Sequence, residues 1–222
     1  MQVTHATLLP VLVGTGDPQL SPADLTEEFL GDLAVGYTPG PPYGQRLITW
    51  EELDDSGMPR RELRRRAASN LYAALDRVGI HGQPPALMLS FDGLESSVLL
   101  AHAFWDDLAS SVPGEVVAGT PVRDVVIFTG AQSRSGLQKV RRAVDRVFYA
   151  GGPHLLSRDL LVRRQRRWEV FDPQSYEPPP IPMPTSPPPI PTSPPVSPMP
   201  PVSGSPRMVP RPRTPMSSGP AR

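Results

Sequence analysis

The sequence predicts an α+β fold: a mostly antiparallel sheet of about six to seven short strands packed against about three helices, with a disordered C-terminal tail. Three observations lead to this prediction. Residues 86–130 read as strand, amphipathic helix, strand and strand in that order. Two further segments carry apolar residues at helical spacing. Proline is concentrated at one end, because 20 of the 32 prolines lie in residues 173–222.

The central helix has the clearest pattern in the chain. Asp92 stands three residues before Glu95, the spacing of a capping box in which both side chains bond backbone N–H groups of the first turn. Apolar residues then recur in steps of three or four and share one helical face: Leu94, Val98, Ala101, Trp105, Leu108 and Val112. Burying that face is worth about 10 kcal/mol before conformational entropy is subtracted.

The other elements follow from shorter patterns. Apolar runs bounded by Gly, Pro or Asp predict strands at 5–13, 32–37, 46–50, 86–91, 116–118, 122–129, 160–163 and 167–171. Helical stripes between N-terminal and C-terminal stop signals predict helices at about 59–78, 92–112 and 133–150.

Composition divides the chain into two parts. Residues 1–172 are long enough for a single α+β domain that buries about 70% of its unfolded surface. Residues 173–222 form a proline-rich, low-complexity tail that we expect to be disordered or polyproline II. The tail contains P-x-x-P spacings and several Ser-Pro steps, so it is either a docking segment for a protein partner or a solubilising spacer.

Charge and composition exclude several classes of function. The net charge is zero, but the four arginines after Glu177 are accompanied by no acid, which leaves residues 1–177 at about −4. Nucleic acid is therefore not expected as a general partner. The chain has no cysteine, which excludes disulfides, thiol nucleophiles and cysteine-ligated metals. No segment reads as a signal peptide or a membrane span, so a cytoplasmic protein without membrane contact is expected.

Three acidic residues are candidates for chemistry. Asp92 and Glu95 would serve as helix caps or, alternatively, as acid–base or metal-binding groups. Asp124 lies in a strand-like run, where Asp is disfavoured, so it marks either a turn that pairs with Arg123 or a functional carboxylate. Arg123 is itself a candidate binding residue. A hydrolytic or metal-assisted enzyme would use these three acids, with His102 or His154 as further members. No catalytic, metal-binding or cofactor-binding motif is recognisable, and neither a metal nor a cofactor is expected.

The remaining candidates are an amide and a basic patch. Asn70 falls on the inner face of the helix predicted at about 59–78, where it would bond a loop or contact a ligand. Arg163 and Arg164 belong to a basic patch that could bind anions or nucleic acid or could protect a sheet edge. Its members are Arg158, Arg163, Arg164, Arg166 and Arg167, with only Asp159 nearby in sequence.

The order of five sequence segments resembles the YtpQ-like bacterial family, a domain of unknown function. The segments are LLPVLV, RLITWEEL with the following RRAASNL, SFDGLESSVLL, GEVVAGTPVRDVVIF and GPHLLSRDLLVRRQRRWEVF, and they cover most of residues 6–172. The chain departs from longer members by lacking an N-terminal region and by carrying the proline-rich tail. The resemblance implies an α+β domain and no particular reaction.

These observations predict an uncharacterised binding or interaction module with the tail as a second contact. The enzyme built on Asp92, Glu95 and Asp124 and the anion-binding protein built on residues 158–167 are the two alternatives.

Overall fold

A computed structural model describes residues 8–39 and 46–174 and shows an α+β fold with two antiparallel sheets. The smaller sheet has the order β1-β3-β2, with β1 at Leu9–Gly14, β2 at Thr26–Leu30 and β3 at Leu33–Thr38. The larger sheet has the order β4-β5-β7-β6-β8-β9. In chain order its strands are β4 at Gly79–Gln83, β5 at Ala86–Ser90, β6 at Val116–Val122, β7 at Val125–Gly130, β8 at Leu160–Arg164 and β9 at Arg167–Val170.

Four α-helices accompany the sheets in the described part of the chain. They are α1 at Trp50–Ser56, α2 at Arg60–Ala73, α3 at His102–Leu108 and α4 at Arg134–Ala150. The predicted fold class is therefore confirmed. Within those residues, no helix has the length and apolar character needed to cross a membrane. The predicted tail lies outside the described residues.

The prediction of one continuous central helix is wrong, but the predicted apolar face is buried. The segment Glu95–Leu100 is a 3₁₀ helix, and α3 begins only after Ala101, whose φ and ψ of −91° and 82° interrupt the helix. Two indoles bond carbonyls of this segment: Trp105 Nε1 donates to the oxygen of Val98 at 2.7 Å, and Trp168 Nε1 donates to that of Leu99 at 2.8 Å.

Trp105 holds the core together. Its ring is completely buried and meets Phe128 of β7 and Trp168 of β9 edge-to-face, with centroid distances of 5.6 and 5.2 Å. The same cluster contains Val11 and Leu12 of β1, so apolar side chains of both sheets pack into one core. Edge-to-face aromatic pairs add about 0.5–1.5 kcal/mol each beyond the area that they bury.

The predicted capping box is also wrong. Asp92 has a left-handed φ of 52°, is exposed and forms an ion pair with Arg77. Glu95 folds back instead, and its Oε1 accepts hydrogen bonds from the backbone N–H of Phe91 at 2.8 Å and of Gly93 at 3.3 Å. The turn is therefore closed by Glu95 alone, while Asp92 remains at the surface.

Residues 46–56 differ from the prediction as well. The predicted strand 46–50 is wrong, because Thr49 caps α1: its hydroxyl accepts from the N–H of Glu52, whose carboxylate accepts from the N–H of Thr49. This pair is a complete capping box. It fixes the segment beside the end of β1, where the candidate site lies.

Helix α4 packs on β6 at a glycine. A Cβ at Gly119 would overlap a methyl of Val144 and lie 3.0 Å from Leu160 Cδ2. The absence of a side chain at this position lets the buried stripe of α4 approach the strand.

We predict that Gly119→Ala lowers the free energy of unfolding by about 1–3 kcal/mol, because the added methyl overpacks this contact. Gly16→Ala is the matched control, since no atom lies within 4 Å of its added methyl. Urea unfolding of both variants measures the difference. Equal midpoints for the two variants would show that α4 can shift away from β6 at no cost.

Candidate functional site

A cleft of about 600 Å³ opens beside the C-terminal end of β1. One side is the loop that follows β1, a second is the segment before α1, and a third is the turn between β6 and β7 with the loop after α4. Charged and polar side chains from all three sides converge on it. The lining residues are Val13, Asp17, Gln19, Leu20, Ser21, Asp24, Arg46, Leu47, Thr49, Arg123 and His154.

Arg123 lies at the tip of the β6–β7 hairpin but is only 4% exposed. Both of its backbone groups are held: its N–H donates to the oxygen of His154 at 3.2 Å, and its oxygen accepts from the N–H of Ser96 at 3.0 Å. The hairpin tip is thus fixed between a loop and the 3₁₀ helix. Burial lowers the pKa of the guanidinium, and the Asp17 carboxylate opposes this shift.

Asp17 and His154 face each other in the same cleft. The side chains are 7% and 19% exposed, and Asp17 Oδ2 lies 3.9 Å from His154 Nδ1. The other oxygen of Asp17 accepts from the N–H of Gln19 at 2.9 Å, which fixes the carboxylate. Burial and the nearby Arg123 lower the pKa of His154, while Asp17 and Asp124 act in the opposite direction. The imidazole is therefore neutral near pH 7.

The rim of the cleft is ordered by side chains that are already bonded. Arg46 makes a bidentate pair with Glu52, with both N–O distances at 2.8 Å, so the capping box of α1 also holds this cation. Asp24 forms a β-bridge with Thr49, and its Oδ2 accepts from the N–H of Ser21 at 2.8 Å. The cleft consequently presents two arginines and two aspartates, and the side chains of Arg46, Asp17 and Asp24 are each held by a hydrogen bond.

This arrangement suits recognition of a small polar molecule. Guanidinium groups bind carboxylate or phosphate, and the aspartates bind ammonium or other N–H donors. The volume lies within the range of small-molecule sites. A neutral His154 beside Asp17 could also accept a proton. Within residues 8–39 and 46–174, no three His, Asp or Glu side chains are grouped so that they could hold a metal ion.

The acids proposed from sequence do not share this site. Asp92 is paired with Arg77 at the surface, and Glu95 is 6% exposed and bonded to the backbone. Asp124 is an exposed residue of the two-residue β6–β7 turn, as the turn interpretation expected. Asn70 Nδ2 donates to the oxygen of Leu8 at 2.8 Å, which is the structural bond that the sequence suggested.

The basic patch at 158–167 is neutralised by distant acids. Arg163 Nη2 lies 2.6 Å from Asp106, and Arg164 Nε lies 3.2 Å from Glu115. Arg166 also pairs with Asp106 at 3.0 Å, and Arg158 pairs with Asp145 at 3.3 Å. The expectation that this patch lacks nearby acids is wrong, because the acids come from other elements. The ion pairs of the patch therefore connect α3, α4 and the residue before β6 to the segment that contains the final hairpin.

Sequence reasoning missed most of the cleft. Arg123 was a candidate and His154 a possible partner, but Asp17, Asp24 and Arg46 were not selected. Asp17 and Asp24 lie in a turn-rich loop, where Asp is common for local reasons. The T-x-x-E spacing at 49–52 could have revealed the order around Arg46.

We predict that the free energy of unfolding falls as the pH is lowered from about 7.5 to 5.5. The pKa values of His154 and His102 are both lowered in the folded state by burial. The unfolded chain therefore takes up protons first, beginning near the ordinary histidine pKa of about 6.5. Carboxyl groups such as that of Glu52, whose pKa is held below 4.5 by Arg46, change the free energy of unfolding only at lower pH.

Urea midpoints at the two pH values measure this loss, and His102→Gln combined with His154→Gln should reduce it. An NMR titration of the His154 ring provides a direct check. A midpoint at or above about 6.5 would contradict the environment described for this imidazole.

Comparison with known proteins finds weak similarity to uncharacterised bacterial proteins. A UPF0354 protein of Listeria monocytogenes serotype 4a is 26% identical over 138 residues, which is 60% of this chain and 52% of the relative. A UPF0354 protein of Listeria innocua is 26% identical over 137 residues, with shares of 59% and 52%. The chain thus spans about half the length of these curated relatives. No family model and no solved structure matches. The similarity confirms the expected resemblance to an uncharacterised bacterial family.

Proposed function

We propose that the protein is a binding module whose cleft takes a small zwitterionic ligand. The observation that carries the proposal is the burial of opposite charges within one open cleft, with Arg123 4% exposed and the Asp17 side chain 7% exposed. Buried charges are costly unless opposite charge or hydrogen bonds compensate them. A ligand with a carboxylate at one end and an ammonium group at the other matches both signs at once. Free amino acids and short peptides are the simplest members of this class.

The contacts support a separate role for each side of the cleft. Arg123 would bind the carboxylate of the ligand, since its guanidinium offers several N–H donors in one plane. Asp17 would bind the ammonium group of the ligand. Its Oδ1 accepts the hydrogen bond from Gln19, and its Oδ2 lies 3.9 Å from His154 Nδ1 in the same cleft. Arg46 and Asp24 extend the same pattern at the rim, where each is positioned by a neighbour. Their fixed geometry lowers the entropy lost on binding.

The test is a thermal-shift comparison of matched molecules. Propionate lacks the ammonium group of alanine and ethylamine lacks its carboxylate, so each analogue carries one of the two charges; the other amino acids and simple dipeptides extend the set. We expect at least one zwitterion to raise Tm, while its singly charged analogues do not. A ligand at ten times its Kd stabilises the folded state by about 1.4 kcal/mol.

Variants locate the binding. Arg123→Met and Asp17→Asn should abolish the shift, and Asp17→Asn keeps an oxygen for the bond from Gln19. Arg61→Met is the control, because this arginine is exposed on α2. No shift with any zwitterion, or an equal shift in all three variants, would overturn the proposal. Circular dichroism checks that each variant is folded.

An enzyme acting in the same cleft is the second candidate. Its supporting observation is the neutral His154 ring 3.9 Å from the Asp17 carboxylate, an arrangement that can serve as a general base. One-dimensional proton NMR of a bound ligand, followed over a day, separates the two functions. Unchanged resonances support a binding module. New ligand resonances that form with the wild-type protein but not with His154→Gln would show that the protein is an enzyme instead.

The binding module would use the proline-rich tail as a second contact for a protein partner. Residues 175–222 lie outside the described part, and the support is their composition: P-x-x-P spacings dock in aromatic grooves of partner domains. Pull-downs with the full chain and with a chain lacking residues 175–222 test this role. We expect at least one partner to be lost with the tail. Identical partner lists would reduce the tail to a spacer.

A further inference from the structure

Helix α4 carries an excess of positive charge that the sequence interpretation did not single out. It contains Arg134, Lys139, Arg141, Arg142 and Arg146 against a single acid, Asp145. Asp145 is already paired with Arg158, and Arg141 donates to the backbone oxygen of Arg158 at 2.8 Å. The other four cations form no salt bridge with any residue in the described ranges. This surface differs from residues 158–167, whose arginines are largely neutralised.

An apolar groove of about 340 Å³ lies beside α4, next to some of these basic residues. Its floor is formed by Leu137 of α4, Leu160 of β8 and Phe171, which follows β9. Arg134, Arg141 and Arg142 line the same groove, so cations stand directly beside the apolar floor. Lys139 and Arg146 are on α4 but do not line it. A groove of this kind can hold one apolar side chain whose neighbours in sequence are acidic.

Charge selects among the occupants that could cover the groove. The tail beyond Glu177 has four arginines and no acid, so it would bring like charge to a basic rim. A second copy placed symmetrically on the same face would also oppose arginine to arginine. Nucleic acid would need exposed rings for stacking or polar groups for base edges, but Phe171 is 4% exposed and the other two floor residues, Leu137 and Leu160, are aliphatic. An acidic protein segment satisfies both the floor and the rim.

We propose that the α4 groove binds an acidic segment of another protein that inserts one large apolar side chain over Leu137 and Phe171. Carboxylates of that segment pair with Arg134 and Arg142, which have no acidic partner of their own among the described residues. This surface is separate from the cleft of Arg123 and Asp17, and the inference does not depend on the ligand proposed there.

The test uses fluorescence polarisation with the full chain and a fluorescein-labelled peptide of sequence DDELFDED. We expect DDELFDED to bind saturably. Replacement of its two central apolar residues to give DDESSDED should weaken binding at least about tenfold, which is the loss expected when one modest contact is removed. Absence of saturable binding of DDELFDED would overturn the proposal, as would equal binding of the two peptides.

Variants of α4 separate the groove from general attraction of charge. Arg142→Glu and Arg134→Glu should each weaken binding about tenfold or more. Arg146→Glu makes the same charge change on the same helix outside the groove and should weaken it less than about threefold. Arg134→Glu places an acid in the first turn of the helix, where it favours the helical state, so a folding defect would not explain its effect. Leu137→Gln should weaken binding while leaving charge unchanged.

Two results would assign the surface to another occupant and overturn the proposal. If peptide binding becomes about tenfold tighter when residues 175–222 are removed, the tail of this chain competes for the groove. Labelled single-stranded oligothymidine that binds more tightly than the peptide, and is weakened equally by Arg142→Glu and Arg146→Glu, would identify a nucleic-acid surface.

Discussion

Two indole hydrogen bonds to consecutive carbonyls connect the central segment to the rest of the molecule. Trp105 bonds the oxygen of Val98 and Trp168 that of Leu99, and the two rings also meet edge-to-face. Because both N–H groups are buried, loss of either acceptor would leave an unsatisfied donor in the core, which costs about 1–3 kcal/mol. Helix α3 and the final hairpin are thereby both fixed to the 3₁₀ helix. The central segment is consequently bent where its apolar periodicity alone predicts a straight helix.

The position of the cleft follows from that anchored segment. Ser96, near the start of the 3₁₀ helix, donates its N–H to the oxygen of Arg123 and so fixes the tip of the β6–β7 hairpin. The N–H of Arg123 is bonded in turn to His154, which brings the loop after α4 to the same place. A hairpin tip is ordinarily exposed. Here its arginine is buried because backbone bonds hold it between two other elements.

The parts of the fold that could be predicted from sequence are those governed by local pattern. The apolar stripe of the central segment is buried as expected, with Val98, Ala101 and Trp105 fully inaccessible. Ser133 caps α4 as its position suggested, with its hydroxyl accepting from Gly136 at 3.2 Å. The break at Ala101 could not be predicted, because the acceptor role of the Leu99 carbonyl depends on Trp168, which lies 69 residues away in the chain. Periodicity reports which side is buried and contains no information on such distant bonds.

Charge pairing is the property for which local sequence was least informative. Residues 158–167 were interpreted as a basic surface, yet their partners Asp106, Glu115 and Asp145 come from three other segments. Helix α4 was interpreted only as an amphipathic element, yet most of its cations form no salt bridge within the part of the chain that the structure describes. Salt bridges between exposed groups contribute about 0–1 kcal/mol each, so folding has little need to neutralise every surface cation. A helix whose arginines have no acidic partner among residues 8–39 and 46–174 is therefore compatible with a stable fold.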